Sequence, residues 1–389
     1  MKFNSTCYSK SEANIFSLYC FLLFIIFSVL FRVFLPFGDE PDFTVRAPRF
    51  VLEQPDFLSP YLTIINSGLD YITECQIETT LIIFMSSVDF DSCMQDSYQV
   101  SIRLFNQFIL MVIPWLCLIF RSYIYAVINE CREVVDRKLD ALSISFLTSS
   151  FIYYYGVLGW EQLLLLLSAI TFLLFNNRIM LVLLLAWIIT IDLGDSVLVI
   201  YSIAIFYGYE FLAKKLGVKK IILVALLIVC ISLILGTSLI GVFSHVGMLA
   251  DKADAISSAY EHTELRDKYP IYLRPVITFL TLVLYLPSGV KAIFAILFVA
   301  TCVCYIAMHV VNRYKTIDIH DFCYLATFVT VILSVVFILP GYANGKYYVF
   351  MLPMFYYFIL SNFSKKNVLV FVSIANSLCI LELGLAYLN

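Results

Sequence analysis

Three carboxylates and two arginines lie within eleven residues, directly after the first apolar stretch of this chain of 389 residues. The acids are Asp39, Glu40 and Asp42, and the arginines are Arg46 and Arg49. A carboxylate can take a proton from an attacking hydroxyl group, and arginines can bind and neutralise a phosphate leaving group. The spacing therefore predicts catalytic acids and substrate-binding arginines. The alternative interpretation is that the three acids are solvated loop residues.

These residues do not require a cofactor. Asp39, Glu40 and Asp42 offer hard oxygen ligands that would suit a divalent metal, so metal use stays open. The 11 cysteines contain no CxxC pair and the chain has no histidine-rich cluster, so no metal site is predicted from them. Cys75 and Cys93 would form a disulfide only in a compartment that oxidises thiols.

A second set of candidate substrate-binding residues is cationic. Arg266, Lys268 and Arg274 lie in a polar segment that is predicted to face the outside, where positive charge is disfavoured. They could clamp a lipid-linked phosphate above a membrane cleft. The competing interpretation is a solvated helix in which neighbouring glutamates pair with these cations.

Trp160 and Glu161 are a third candidate, because they stand between two apolar stretches on the predicted outer side. An aromatic ring beside a carboxylate suits a sugar, since the ring can stack on its C–H face. An ordinary interfacial tryptophan explains the pattern equally well.

The composition indicates which elements must hold these residues. Hydrophobic residues make up 62% of the chain and charged residues only 14%. Soluble domains have about 45–50% apolar and about 25% charged residues. This excludes a cytosolic globular enzyme and a disordered chain. A net charge of −3 also argues against a nucleic-acid partner. About 20 apolar residues cross a bilayer, so the predicted fold class is all-α, a polytopic transmembrane helix bundle.

Basic residues set the predicted orientation, because lysine and arginine favour the cytoplasmic side. Glu130–Asp140 and Lys214–Lys220 are predicted to be inside loops. The segment 37–103 has no lysine and is predicted to be an external loop with interfacial helices. A candidate span lies near 141–159.

We predict about 11 spans (10–12) in a single integral membrane domain over 1–389. The second long external loop, 244–290, lies between spans 7 and 8. Its part 273–289 is broken by Pro275 and Pro287 and either spans or re-enters. Re-entry keeps the later basic residues inside and gives eleven spans.

Two short patches carry a resemblance to known families. Gly38–Phe43, which follows the first span at once, resembles the acidic motif in the first external loop of GT-C glycosyltransferases. Leu339–Pro353 is similar to a segment near the last helices of polyprenyl-phosphate-sugar transferases and O-antigen polymerases of the Wzy type. Lys346, followed by Tyr347, stands where arginine is more usual, so bidentate phosphate binding is not expected.

The resemblance implies a bacterial glycosyltransferase of the inner membrane that polymerises undecaprenyl-diphosphate-linked oligosaccharide repeat units of O-antigen, lipopolysaccharide or capsule. Its implied partners are a polyprenyl-linked glycan donor and acceptor, membrane lipid and a chain-length regulator, and Lys346 and Tyr347 become substrate-binding candidates. One alternative is a GT-C transferase that adds single sugars from a polyprenyl-phosphate donor. Another is a flippase or transporter of the polysaccharide precursor.

Overall fold

The computed structural model describes residues 10–34, 115–118, 120–128, 130–156, 160–191, 193–215, 217–235, 267–284, 293–313 and 315–388. The regular structure within these ranges is helical, without a strand. The helices are α1 Lys10–Phe34, α2 Arg121–Ile128, α3 Arg132–Ser145, α4 Ser149–Gly156, α5 Trp160–Thr171, α6 Arg178–Ile191, α7 Leu193–Ala213, α8 Val218–Leu235, α9 Arg274–Val283, α10 Ile293–Arg313, α11 Ile319–Ile338, α12 Leu352–Asn362 and α13 Lys365–Leu388. Short 3-10 helices cover Phe172–Leu174, Pro340–Ala343 and Gly345–Met351.

Three helices of the described part are long and apolar enough to cross a bilayer. They cover Ser196–Ala213, Ile319–Ile338 and Lys365–Leu385. Large apolar side chains also point away from the protein, such as Leu223 and Ile234, which are 66% and 83% exposed. In water such a surface would be a liability, whereas lipid tails cover it at no cost. The chain is therefore a helical membrane protein, and the count of eleven spans stays a prediction.

Helix α11 is the centre of the bundle. It contacts α7, α8, α9 and α12, and its buried residues include Phe322, Tyr324 and Phe328. Asp318 starts the helix, because its carboxylate accepts hydrogen bonds from the backbone amides of His320 and Asp321. The helix ends at Ile338, two residues before Pro340, whose ring cannot continue a helix.

The helix within the candidate span 141–159 is interrupted, and whether this segment crosses the membrane stays a prediction. Helix α3 ends at Ser145, residues 146–148 turn, and α4 begins at Ser149. A side chain from another helix satisfies a backbone group in this turn, since the amide of Asn376 on α13 donates to the carbonyl of Leu147. Ser149 and Ser150 donate to the carbonyls of Val283 and Leu282, so the end of α9 meets the start of α4. Backbone groups freed inside an apolar bundle must find such internal partners.

Helix α9 is only half as long as a span. Its ten residues rise about 15 Å, against a hydrocarbon core of about 30 Å. Pro275 occupies the first turn, where its missing N–H costs nothing. Of the segment 273–289, the structure describes residues 273–284, which contain this helix. Residues 285–292 lie outside the described ranges, so re-entry stays a prediction.

The two ends of α11 carry different chemistry. Near its first residue, Asp321 forms an ion pair with Arg137. Near its last residue, the carbonyl of Phe337 accepts a hydrogen bond from Arg274. Asp321 and Phe337 are sixteen residues apart on this helix, or about 24 Å. We call the end where α11 begins the basic end, and the end where it finishes the far end.

Candidate active site

Six of the predicted site residues lie outside the described residues. They are Asp39, Glu40, Asp42, Arg46, Arg49 and Arg266. Trp160 and Glu161 form the start of α5. Lys268, Arg274, Lys346 and Tyr347 are described together with their side chains, and they all belong to the far end or to the segments that build it.

The Lys346–Tyr347 pair lies on the 3-10 helix Gly345–Met351. Asn344 caps this helix, since its side-chain oxygen accepts from the amide of Lys346 at 3.1 Å. The same oxygen accepts from the hydroxyl of Tyr154 on α4 at 3.3 Å. The ring of Tyr347 stacks on that of Tyr342, with centroids 4.2 Å apart. The segment predicted to bind substrate is therefore ordered by its own side chains.

Gly345 fixes this segment against α9. A Cβ atom there would lie 2.6 Å from the carbonyl carbon of Thr281 and would also overlap the backbone nitrogen of Leu282. Because both neighbours are backbone atoms, no larger residue fits without moving a helix. The amide of Gly345 donates to the hydroxyl of Thr281 at 2.7 Å, and Thr278 donates to the carbonyl of Ala343 at 2.6 Å. Glycine is thus required here for close approach.

Arg274, a predicted substrate-binding residue, makes contacts inside the bundle, and its substrate binding stays a prediction. Its side chain is buried, and its Nε donates to the carbonyl of Tyr269 at 2.8 Å. Its Nη1 donates to the carbonyls of Val336 and Phe337 at 3.2 and 3.0 Å. These two carbonyls are among the last of α11, which have no partner within the helix. The guanidinium group therefore caps α11 and joins it to α9, and phosphate binding by Arg274 finds no support in these contacts.

Lys268 is exposed, and its Nζ lies 5.4 Å from the ring centre of Tyr269. The ammonium group of Lys268 therefore lies at the surface. Its role in substrate binding stays a prediction. The start of α9 at Arg274 and its contact with Gly345 near Thr281 are seven residues, or about 10 Å, apart along the helix. Arg274 and the segment that carries Lys346 therefore lie about two turns apart along α9.

A small cavity lies beside the Lys346 segment. It has a volume of about 40 Å³, and its lining residues come from α4, α5, α7 and the 3-10 helix: Tyr154, Leu164, Leu165, Ser168, Val199, Lys346, Tyr347 and Phe350. A water molecule needs about 10–15 Å³ of such volume, whereas ligand sites span about 300–1,000 Å³. This cavity can hold a few waters but not a sugar.

The basic end holds a buried charge network that the sequence interpretation missed. Arg121 is 5% exposed, and its Nη2 donates to Asp140 at 3.0 Å and to Ser17 at 2.6 Å. Its Nη1 donates to Asp136 at 3.2 Å. The ammonium group of Lys365 contacts the other oxygen of Asp140. Helices α2, α3 and α13 are thereby joined through one carboxylate that is only 1% exposed, and α1 is attached to it through Ser17 and Arg121.

A second buried pair reinforces the same end. The Nζ of Lys138 lies 2.7 Å from Glu130, and their side chains are 1% and 3% exposed. Burial lowers the pKa of Lys138, and the nearby carboxylate of Glu130 opposes this shift. Residues 130–140 were predicted to be a cytoplasmic loop, but most of them form the first half of α3. A local signal existed, because Val135, Leu139 and Leu142 repeat at helical spacing.

The described residues contain no group of three or more His, Cys, Asp or Glu side chains that could hold a metal ion. Asp39, Glu40 and Asp42 lie outside those residues, so the question of a metal at the predicted acidic site is unaffected.

Comparisons with protein-family models, with curated proteins and with solved structures find no match to this chain.

Proposed function

We propose that the chain is a membrane glycosyltransferase of bacterial surface polysaccharide assembly. It polymerises oligosaccharide repeat units that are linked to undecaprenyl diphosphate, at the periplasmic face of the inner membrane. The observation that supports this most directly is the rigid packing of the Lys346–Tyr347 segment against α9 at the far end. A site that stabilises a departing phosphate needs its donors fixed before the reaction begins.

The orientation follows from charge. Arg121, Arg137, Lys138 and Lys365 lie at the basic end, and the positive-inside rule assigns such an end to the cytoplasm. Lys346 then faces the periplasm, the same side as the external loop 37–103. Lipid-linked repeat units carry their sugars on that side and need no soluble nucleotide-binding domain.

The reaction is a direct displacement at the anomeric carbon of the donor sugar. Asp39 or Glu40 takes the proton of the acceptor hydroxyl as its oxygen attacks that carbon. The bond between the anomeric carbon and the diphosphate oxygen breaks, and the bonding electrons leave with the undecaprenyl diphosphate. Lys346, with Arg46 or Arg266, stabilises the negative charge on the departing phosphate. Trp160, Glu161 and Tyr347 contact the sugars.

The test is electrophoresis of surface polysaccharide from a deletion strain that is complemented with variants. We expect that Asp39→Asn or Glu40→Gln, or both, lower chain elongation by about a hundredfold, the usual scale for a catalytic base. Glu53→Gln is the matched control, because it removes an acid from the same loop outside the acidic motif. The proposal fails if Asp39→Asn and Glu40→Gln both retain full activity at equal protein levels in the membrane.

Transfer of single sugars from a polyprenyl-phosphate donor would use the same groups. The products separate the two reactions. A polymerase mutant accumulates single repeat units on the periplasmic face, with no long chains. A single-sugar transferase mutant keeps long chains that lack one substituent, which a change in sugar composition reveals.

A specific observation also favours a flippase or transporter. The break between α3 and α4, and the half-length helix α9 that meets it, are the discontinuous helices on which many transporters build their sites. The measurement that separates this candidate is the leaflet in which lipid-linked units accumulate. Units trapped in the cytoplasmic leaflet of a deletion strain would indicate a flippase, and units in the periplasmic leaflet would indicate the polymerase.

A further inference from the structure

A cleft opens between α6 and α7 at the basic end. Its volume is about 440 Å³, which is within the range of ligand sites. Its lining residues are Arg178, Leu181, Val182, Leu185, Ile203, Tyr207, Glu210, Phe211 and Lys214. This cleft is separate from the Lys346 segment and takes no part in the function proposed above.

Two cations stand at the mouth of this cleft. Arg178 is the first residue of α6, and Lys214 follows the last residue of α7. Both are exposed, and within the described residues neither forms a salt bridge, in contrast to Arg121, Lys138 and Lys365. Two neighbouring cations without a salt-bridge partner favour an anionic ligand.

The one acid of the cleft is already engaged. Oε1 of Glu210 lies 3.3 Å from Nδ1 of His320, which belongs to α11 behind the cleft. Tyr207 is engaged as well, because its hydroxyl donates to the carbonyl of Phe175. The described lining thus carries two cations, Arg178 and Lys214, and one carboxylate, Glu210, which also attracts Lys214. The net charge that these residues present to a ligand is positive.

The deeper walls of the cleft are apolar. Leu181 and Ile203 are buried at 3% and 6% exposure, whereas Val182 and Phe211 at its edges are 63% and 61% exposed. Exposed apolar edges on membrane helices face lipid. The cleft therefore combines cations near the membrane surface with an apolar groove that opens toward the lipid. The cations are complementary to the phosphate of a phospholipid, and the groove is complementary to an acyl chain.

We propose that this cleft binds an anionic phospholipid, with the phosphate between Arg178 and Lys214 and an acyl chain along Leu181, Leu185 and Ile203. Basic pockets between helices on the cytoplasmic side are suited to anionic headgroups. The lipid holds α6 to α7 at the basic end, where the described structure shows no salt bridge between these two helices.

The test uses the purified full chain, stripped of lipid in detergent and titrated with phosphatidylglycerol or with phosphatidylcholine of the same acyl chains. Bound lipid is counted by native mass spectrometry. We expect phosphatidylglycerol to bind more tightly. Each headgroup cation contributes about fivefold in affinity, so that Arg178→Gln with Lys214→Gln weakens binding about 25-fold.

The matched control is Lys220→Gln with Lys366→Gln, which removes two exposed cations outside the cleft lining. It should bind phosphatidylglycerol as the parent does. The inference is overturned if both lipids bind equally, if the cleft variant binds like the control, or if glycerol phosphate alone displaces the lipid at equal concentration. Leu185→Trp tests the apolar part, because it narrows the groove and leaves both cations in place. This variant should bind phosphatidylglycerol more weakly than the parent, and its unfolding temperature should equal that of the parent.

Discussion

Charged side chains at the basic end and at the far end of the bundle are stabilised in different ways. At the basic end, cations pair with acids: Arg121 and Lys365 share Asp140, and Lys138 pairs with Glu130. At the far end, Arg274 bonds only to backbone carbonyls in the contacts described above. The first arrangement joins helices through charge neutralisation. The second joins them by completing the hydrogen bonds of a helix end.

This difference bears on how function is inferred from charge. Among the described residues, most buried charged side chains lie at the basic end, and most of them pair with one another. Buried pairs of this kind often add little net stability, but removing one partner leaves a buried charge without compensation. A rim cation without a salt bridge, such as Arg178, is the better indicator of a ligand.

The largest expected effect is at the buried network. Asp140→Asn removes the carboxylate that Arg121 and Lys365 share, leaving two cations with fewer partners. We expect a loss of about 3–5 kcal/mol in the free energy of unfolding, the usual cost of breaking a buried ion pair. Thermal unfolding of the purified protein in detergent measures it.

The control is Arg132→Gln, which breaks the surface pair of Arg132 with Asp136 at 3.7 Å, where Arg132 is 56% exposed. Exposed pairs contribute about 0–1 kcal/mol. Equal losses in the two variants would mean that the buried network does not differ from a surface pair.

A smaller effect is expected at the far end. Arg274→Gln should cost about 3 kcal/mol in the free energy of unfolding, because hydrogen bonds to a charged group contribute about 1.5–3 kcal/mol each and are not additive. Lys268→Gln, at an exposed neighbour, should change stability by less than about 0.5 kcal/mol. If Arg274→Gln unfolds like the parent but loses activity, Arg274 binds substrate and does not cap α11.

The smallest effect is expected for Gly345→Ala, which forces a methyl group against the backbone of Thr281 and Leu282. Overpacking of this kind costs about 1–3 kcal/mol, and it should also displace the Lys346 segment. Gly208→Ala is the matched control, because a Cβ atom there meets nothing within 4 Å. Alanine in that helix should stabilise by up to about 1 kcal/mol. Equal unfolding temperatures for the two variants would show that the close approach of Gly345 to α9 is unimportant.

Several elements could be predicted from local pattern. The apolar composition predicts membrane-spanning helices, and α7 and α11 have described parts that are long and apolar enough to cross a bilayer. Pro275 lies in the first turn of α9, and Pro340 follows the last residue of α11 by two positions. The break at 146–148 could not be predicted, because residues 141–159 are apolar enough to read as continuous. Tertiary contacts accommodate the break: Asn376 donates to the carbonyl of Leu147 in the turn, and Ser149 and Ser150 contact the end of α9.

The sequence by itself determined that this is a helical membrane protein, because hydrophobicity and helical spacing are properties of neighbouring residues. It also selected Lys346, Tyr347 and Arg274 as residues of interest. The tertiary structure alone decided that Arg274 caps α11 and that Asp140 joins Arg121 to Lys365. These partners are far apart along the chain, and the partner of a charge depends on which helices pack together. That packing is set by the whole bundle rather than by any local stretch.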